Sequence, residues 1–325
     1  MQVRWVKYKK MGGPMYRGTS GNGYNPITPS GIWTPILGVV SKCEGKHDTV
    51  VMYDETGVTF GFMQWTFRAG RLQKMLQFLK SVPSDEDCSK SVFDVYCVSS
   101  LGSQIFESFG FKISGGNFVL SDGRRLNPAV KAERKKIIDQ CMGRHLSFKK
   151  SKVWAKNLCA LFVELGKHSE VQLAAVEFAK LEFKKSLHYR RPPLKSVGGK
   201  IASLLPLDDD LLWRSPLPAI FFNLYQNAPM GAFKLFKGAW NEALKKGIAL
   251  FVEGAVDGGY YLVDNGSIDA LIDIVWRRLN RTAYADWGFR SRQYLSSGGK
   301  NPPRIMRIRP AINEFYGIKL PYYKG

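Results

Sequence analysis

Apolar residues recur at helical spacing through most of this sequence, and two stretches between helical runs carry β-rich patterning instead. A chain so patterned must bury one stripe of each helix against its neighbours, which predicts a mainly α (α+β) fold with its β-structure held in those two stretches. The first is CEGKHDTVVMYDETGVTFGFMQW (43–65) and the second FKISGGNFVLSDGRRL (111–126). In the first, TVVMYD and VTFGFMQW are β-rich runs around the turn ETG and read as a hairpin; the second reads as another. Before it, GIWTPILGVVSKCEG (31–45) sets Ile32, Trp33, Ile36, Leu37 and Val40 on one helical face behind Ser30 as N-cap and ends at Gly45. After it, FRAGRLQKMLQFLKSV (67–82) returns to helical period, so the local order is helix, small β-wing, helix. Further helices are expected over 91–109, 128–142, 148–166, 169–189, 215–227, 230–250, 267–281 and 284–296.

Length and composition bound the rest. A chain of 325 residues with 45% hydrophobic and 13% aromatic content buries a large core in one elaborated domain or two. No run approaches the roughly 20 apolar residues that cross a bilayer, and the first 31 residues lack the apolar centre of an export signal. The five cysteines, Cys43, Cys88, Cys97, Cys141 and Cys159, are odd in number and without a Cys-x-x-Cys pair, the pattern of a chain made in reducing cytoplasm. Lys and Arg outnumber Asp and Glu by 48 to 27, a net charge of +21 that draws polyanions: nucleic acid, anionic lipid or the bacterial wall. Residues 1–30, rich in Gly, Pro, Ser, Lys and Arg, read as a basic arm or docking tail. Residues 31–300 read as the functional domain, RRPPLKSVGGK at 190–200 being the place where it would subdivide. Residues 301–325, basic, aromatic and Pro-rich, read as a segment that wraps the surface without adding a helix.

Against that positive background, residues 43–65 gather Glu44, Asp48, Asp54 and Glu55. Most acidic windows are solvated turns. Three details set this one apart. Glu44 stands at the C-terminal end of an apolar helix, where an acid opposes the helix dipole. A carboxylic acid against apolar walls has its pKa raised, as a general acid requires. Asp54 follows ten residues later and Thr59 fifteen, with the hairpin turn between, so a hairpin folded back beside the helix end would set a second carboxylate and a hydroxyl across a cleft from Glu44. Glycoside hydrolysis needs that combination: one carboxyl protonates the leaving oxygen while the other orients water or stabilises charge on the sugar. Gly57 and Gly61 permit close backbone approach, Gln64 donates and accepts at once, and Tyr53 and Trp65 offer flat faces for sugar rings.

The order Glu at a helix end, β-wing, then Gly-Phe-Met-Gln at 61–64 resembles the goose-type lysozyme and lytic transglycosylase families, with their Gly-Leu-Met-Gln motif. EGKHDTVVMYDETGVTFGF also resembles the phage-type lysozymes, with their Glu/Asp/Thr triad, and FFNLYQNAPMGAFKLF at 221–236 resembles the transglycosylase Tyr-Asn-Ala-Gly motif. The resemblance covers residues 30–80 and, more loosely, 215–240, and implies a lysozyme-like helical domain with a small β-wing, elaborated by additional helices. It implies Glu44 as general acid, Asp54 and Thr59 holding the water, and Gln64, Tyr225 and Asn227 lining the sugar subsites. The chain departs from it in Gly45, where transglycosylases have Ser, in the extra residue of YQNAP, and in a slightly longer Glu-to-Asp gap.

Other signals lead elsewhere or nowhere. His47, His145, His168 and His188 form no metal-ligand spacing with the cysteines, so neither a metal nor a cofactor is expected, and His47 reads as a surface residue beside a turn. The Gly-Gly-Lys at 198–200 lacks a phosphate loop's remaining spacing, and the acids at 208–210 read as the N-cap of a short helix. The expected function is cleavage of the peptidoglycan glycan strand, by hydrolysis or, with Glu44 as sole acid and base, by lytic transglycosylation. The expected setting is the bacterial wall after lysis or delivery, with the basic termini docked to a phage or injection-system carrier. The rival is a non-enzymatic basic virion protein whose partner is nucleic acid, in keeping with the aromatics interleaved among Lys and Arg in WVKYKK and PPRIMRIRP.

Overall fold

A computed structural model describes residues 4–8, 11–18, 31–53, 57–98, 111–114, 117–120, 123–127, 130, 132–133, 135–136, 139, 147–187, 205, 210–227, 229–252, 260–264, 266–281 and 304–321. The linker at 190–200, the helix expected at 284–296, Ser30, Asp54 and Glu55 lie outside them. The chain is mainly helical with small antiparallel sheets and divides into two units. One comprises Met1–Thr28 and Glu44–Ala179, the other Pro29–Cys43 and Lys180–Gly325.

The first unit is built on a five-stranded antiparallel meander: β1 (Arg4–Tyr8), β2 (Met11–Tyr16), β3 (Val50–Val51), β4 (Thr59–Phe60) and β5 (Trp65–Thr66), in that order across the sheet. The expectation of a basic arm or docking tail over residues 1–30 is corrected here for residues 4–8 and 11–16, which are strands of the sheet. RWVKY and MGGPMY pair in register from Arg4↔Met15 to Tyr8↔Met11, and β2 then pairs with β3 through Met15↔Val51 and Tyr16↔Val50. Charged and glycine-rich composition hides the strand, because its pairing partner β3 lies more than thirty residues further on. Gly13 shows how closely the ribbon seats: a Cβ there would lie 2.0 Å from the Met52 carbonyl oxygen, so only glycine fits.

Behind the sheet lie α2 (Arg71–Ser81), α3 (Phe148–Leu165) and the first part of α4 (Ser169–Leu187). Helix α3 packs on β2 and β3, and Phe162 meets Phe60 of β4 at 5.3 Å between ring centroids. Trp65 of β5 is fully buried against Phe62 and against Phe178 of α4. The second hairpin is present as β6 (Phe111–Ser114) and β7 (Asn117–Leu120), with a third strand, β8 (Arg125–Leu126), beside β7. Of the helix expected at 91–109, the described part runs through 92–98 and includes a π-helical turn, Asp94–Val98.

The second unit collects α1 (Trp33–Glu44) up to Cys43, the end of α4, α5 (Asp210–Arg214), α6 (Leu217–Asn227), α7 (Pro229–Lys245), the hairpin β9 (Leu250–Val252) with β10 (Tyr260–Leu262), α8 (Ile268–Arg281) and α9 (Arg304–Tyr316). Its core is aromatic: Phe183 takes Trp33, Trp213, Phe221 and Phe222 around its ring, all edge-on. Asp210 is the first residue of α5 and pairs with Arg214 one turn later, while Asp208 and Asp209 lie outside the described residues.

The C-terminal stretch corrects the second expectation, for it contains a helix. Ile308, Ala311 and Ile312 are buried at helical spacing, and Phe315 lies over Gly38 of α1, where a Cβ would come within 2.6 Å of the ring. Pro310, inside α9, lacks the N–H for one helical bond and disguises the pattern in the sequence. Lys42–Glu314 at 3.0 Å and the Arg307 guanidinium donating to the Cys43 carbonyl at 3.0 Å secure α9 to α1.

Candidate functional site

Glu44 is the last residue of α1, a helix that buries Ile36, Leu37, Val39, Val40 and Cys43, and is itself half-buried. The chain leaves the helix through Gly45 at φ +154°, a conformation that favours glycine. Residues 46–49 then make a turn that leads straight into β3. The Thr49 N–H donates to the Lys46 carbonyl at 3.0 Å, and the Lys46 N–H donates to Thr49 Oγ1 at 2.8 Å. Thr49 Oγ1 in turn donates to the Arg17 carbonyl, past the end of β2, at 2.8 Å. From the far side, the Gly61 N–H donates to the Thr49 carbonyl at 2.9 Å.

This turn is interior. His47, Asp48 and Thr49 are 3%, 0% and 3% exposed, which corrects the reading of His47 as a surface residue beside a turn. His47 packs its ring on Phe62 at 4.8 Å, and its carbonyl abuts Gly166, where a Cβ would stand 2.5 Å away. Burial lowers the His47 pKa to about 4, against the smaller upward pull of Asp48. No local signal in the sequence marks this burial, because HDT reads as a polar turn in front of VVM whichever way it faces.

The other proposed site residues fall as follows. Thr59 is buried on β4 between its cross-strand partners Val51 and Thr66. Tyr53 is half-buried just after β3, and Asp54, the next residue, lies outside the described residues. Gln64 closes the loop between β4 and β5: its N–H and its side-chain amide both donate to the Gly61 carbonyl, at 3.0 and 2.8 Å, and its φ of +49° is the only positive one of a non-glycine among the described residues. That amide therefore holds its own turn. Trp65 is wholly buried, so its expected role as a sugar platform is corrected: the indole is core, because β5 turns that face toward α4.

Tyr225 and Asn227 belong to the second unit, on α6. Tyr225 is half-buried and stacks on Phe221 at 5.9 Å, with Phe233 edge-on at 6.0 Å. Asn227 is the final residue of α6, and its side chain lies outside the described part. Glu44, Thr59 and Gln64 thus share one unit, with Glu44 at the helix end that feeds the sheet and Thr59 and Gln64 on the wing.

Among the described residues no group of three or more His, Cys, Asp and Glu side chains is arranged to hold a metal ion, and no helix is long and apolar enough to cross a membrane. No family model, no curated protein and no solved structure matches this chain.

Proposed function

We propose that the chain cleaves the glycan strand of peptidoglycan as a muramidase-type glycoside hydrolase, with Glu44 as general acid. The observation that carries this reading is the half-buried residue Glu44 at the close of an apolar helix, followed without a linker by a tightly bonded turn and a β-sheet bearing Thr59. In this mechanism Glu44 gives its proton to the glycosidic oxygen as the bond to the anomeric carbon breaks, while Asp54 and Thr59 orient the water that attacks. A carboxyl separation above roughly 6.5 Å corresponds to inversion at the anomeric carbon, and one near roughly 5 Å to retention. With Glu44 acting alone, the sugar's own 6-hydroxyl replaces water and the chain is a lytic transglycosylase.

The test is clearing of purified peptidoglycan by the wild type and by Glu44→Gln, with mass analysis of the glycan ends. Loss of clearing in Glu44→Gln at unchanged folding supports the reading, and an anhydro or reducing end, which differ by one water, selects the reaction. Clearing that survives in Glu44→Gln refutes it.

One observation favours the rival reading. Helix α3 opens with the exposed Lys149 and Lys150 and no acid in its first turn, and Lys152 stands over the half-buried Trp5 ring of β1 at 5.6 Å. A basic face with an aromatic in it suits a nucleic-acid backbone. DNA binding that falls steeply with salt, in a protein that clears no wall, would decide for it.

A further inference from the structure

We infer that Thr49 is a positioning residue of this site, a side chain that holds the backbone leaving Glu44 relative to the strand carrying Thr59. The inference rests on the glycosidase reading and adds a residue to it. Thr49 bonds through all three of its polar groups, and its four bonds reach three pieces of the site. Its hydroxyl takes the Lys46 N–H at 2.8 Å and gives its own proton to the Arg17 carbonyl at 2.8 Å, which ties the turn to the end of β2. Its carbonyl takes the Gly61 N–H at 2.9 Å, two residues beyond Thr59. Its N–H closes the turn on Lys46 at 3.0 Å.

The side chain also lies directly on the backbone that leaves Glu44. A Cβ built on Gly45 would stand 2.7 Å from Thr49 Oγ1 and 2.9 Å from both Thr49 Cβ and Cγ2. The exit of the chain from α1 therefore has one path, with Gly45 at φ +154° under the threonine. Gly18 on one side and Gly166 on another leave no room for the turn to shift: a Cβ at Gly18 would meet Thr49 Oγ1 at 2.7 Å and Asp48 Oδ1 at 2.5 Å, and one at Gly166 would meet the His47 carbonyl at 2.5 Å. Catalytic groups must be held within a fraction of an ångström of productive geometry, and a displacement of about 1 Å costs on the order of a hundredfold in rate. A buried hydroxyl with two partners, seated between the acid and the water-holding strand, meets that demand.

The experiment compares Thr49→Val, which keeps the methyl over Gly45 and removes both hydroxyl bonds, with Thr49→Ser, which keeps the hydroxyl and removes the methyl. The assay is peptidoglycan clearing at a temperature where each protein is fully folded by circular dichroism. Met75→Ala, a core truncation in α2, controls for lost stability. Thr49→Val is expected to lower kcat at least about tenfold with KM within about twofold, because a loosened turn displaces the acid from productive geometry. Thr49→Ser is expected to recover to within about threefold of wild type, and Met75→Ala to leave kcat and KM in place. Wild-type kcat in Thr49→Val would overturn this inference and leave the glycosidase reading standing. Thr49→Ser as impaired as Thr49→Val would assign the effect to packing and overturn it too. A wild type that clears no wall overturns both.

Discussion

Replacing Trp65 by alanine separates a core indole from a sugar platform, the two roles its sequence context allows. The ring is 0% exposed, with Phe62 at 5.6 Å, Phe178 at 5.7 Å and the Gly61 backbone beneath it. A fully buried indole removes on the order of 200 Å² from water. At about 25 cal/mol per Å² that is about 5 kcal/mol, an upper figure because the denatured chain already buries part of the ring. Core Trp-to-Ala truncations fall at about 3–5 kcal/mol, so Trp65→Ala is expected to cost that much, and Trp65→Phe, which leaves a smaller void, about 1–2 kcal/mol. The assay is urea unfolding of the full chain followed by far-UV circular dichroism, set beside KM for solubilised glycan strands. Trp65→Phe should shift the unfolding midpoint and leave KM in place. A Trp65→Ala protein that loses less than about 1 kcal/mol while its KM rises tenfold would refute the burial argument and return the indole to the sugar.

Further outcomes follow from the same geometry. His47 is held neutral, its pKa lowered from 6.5 to about 4, so the unfolded chain takes up a proton that the folded one refuses. Its contribution is therefore fully present above pH 6.5 and is lost as pH falls toward 4, on the order of 3 kcal/mol in all; urea midpoints of wild type and His47→Gln between pH 7 and 5 should converge as the pH drops. Gly166→Ala would push a methyl to 2.5 Å from the His47 carbonyl and should cost about 1–3 kcal/mol in thermal or urea unfolding. Gly38→Ala meets the Phe315 ring at 2.6 Å and should loosen α9 from α1, read as faster amide exchange across 304–316.

Helices were the legible part of this chain because a buried stripe leaves its mark on every turn. The periods at 148–166, 169–189 and 267–281 correspond to α3, α4 and α8 with only their ends moved. The β-wing was legible for a similar local reason, a glycine turn between two β-rich runs. The strands at 4–16 were not, since alternation in a glycine- and lysine-rich ribbon acquires meaning only when β3 pairs with it. Nor was α9, where one internal proline outweighs four apolar positions in a reading by composition. At the site, the position of Glu44 at a helix end was readable from periodicity. The inward turn of His47, Asp48 and Thr49 was not, because a polar triplet has the same sequence whether it faces solvent or a sheet.

Taken alone, the sequence determined the helices with an unbroken apolar stripe and the local β-wing, since hydrophobic period and glycine placement are properties of neighbours along the chain. Which polar groups became interior was a decision of the tertiary structure: β2, the loop after β4 and the corner between α3 and α4 all close on residues 45–49. Partners brought from distant stretches supply hydrogen bonds and exclude water there, and that is the physical difference between a solvated turn and a buried one.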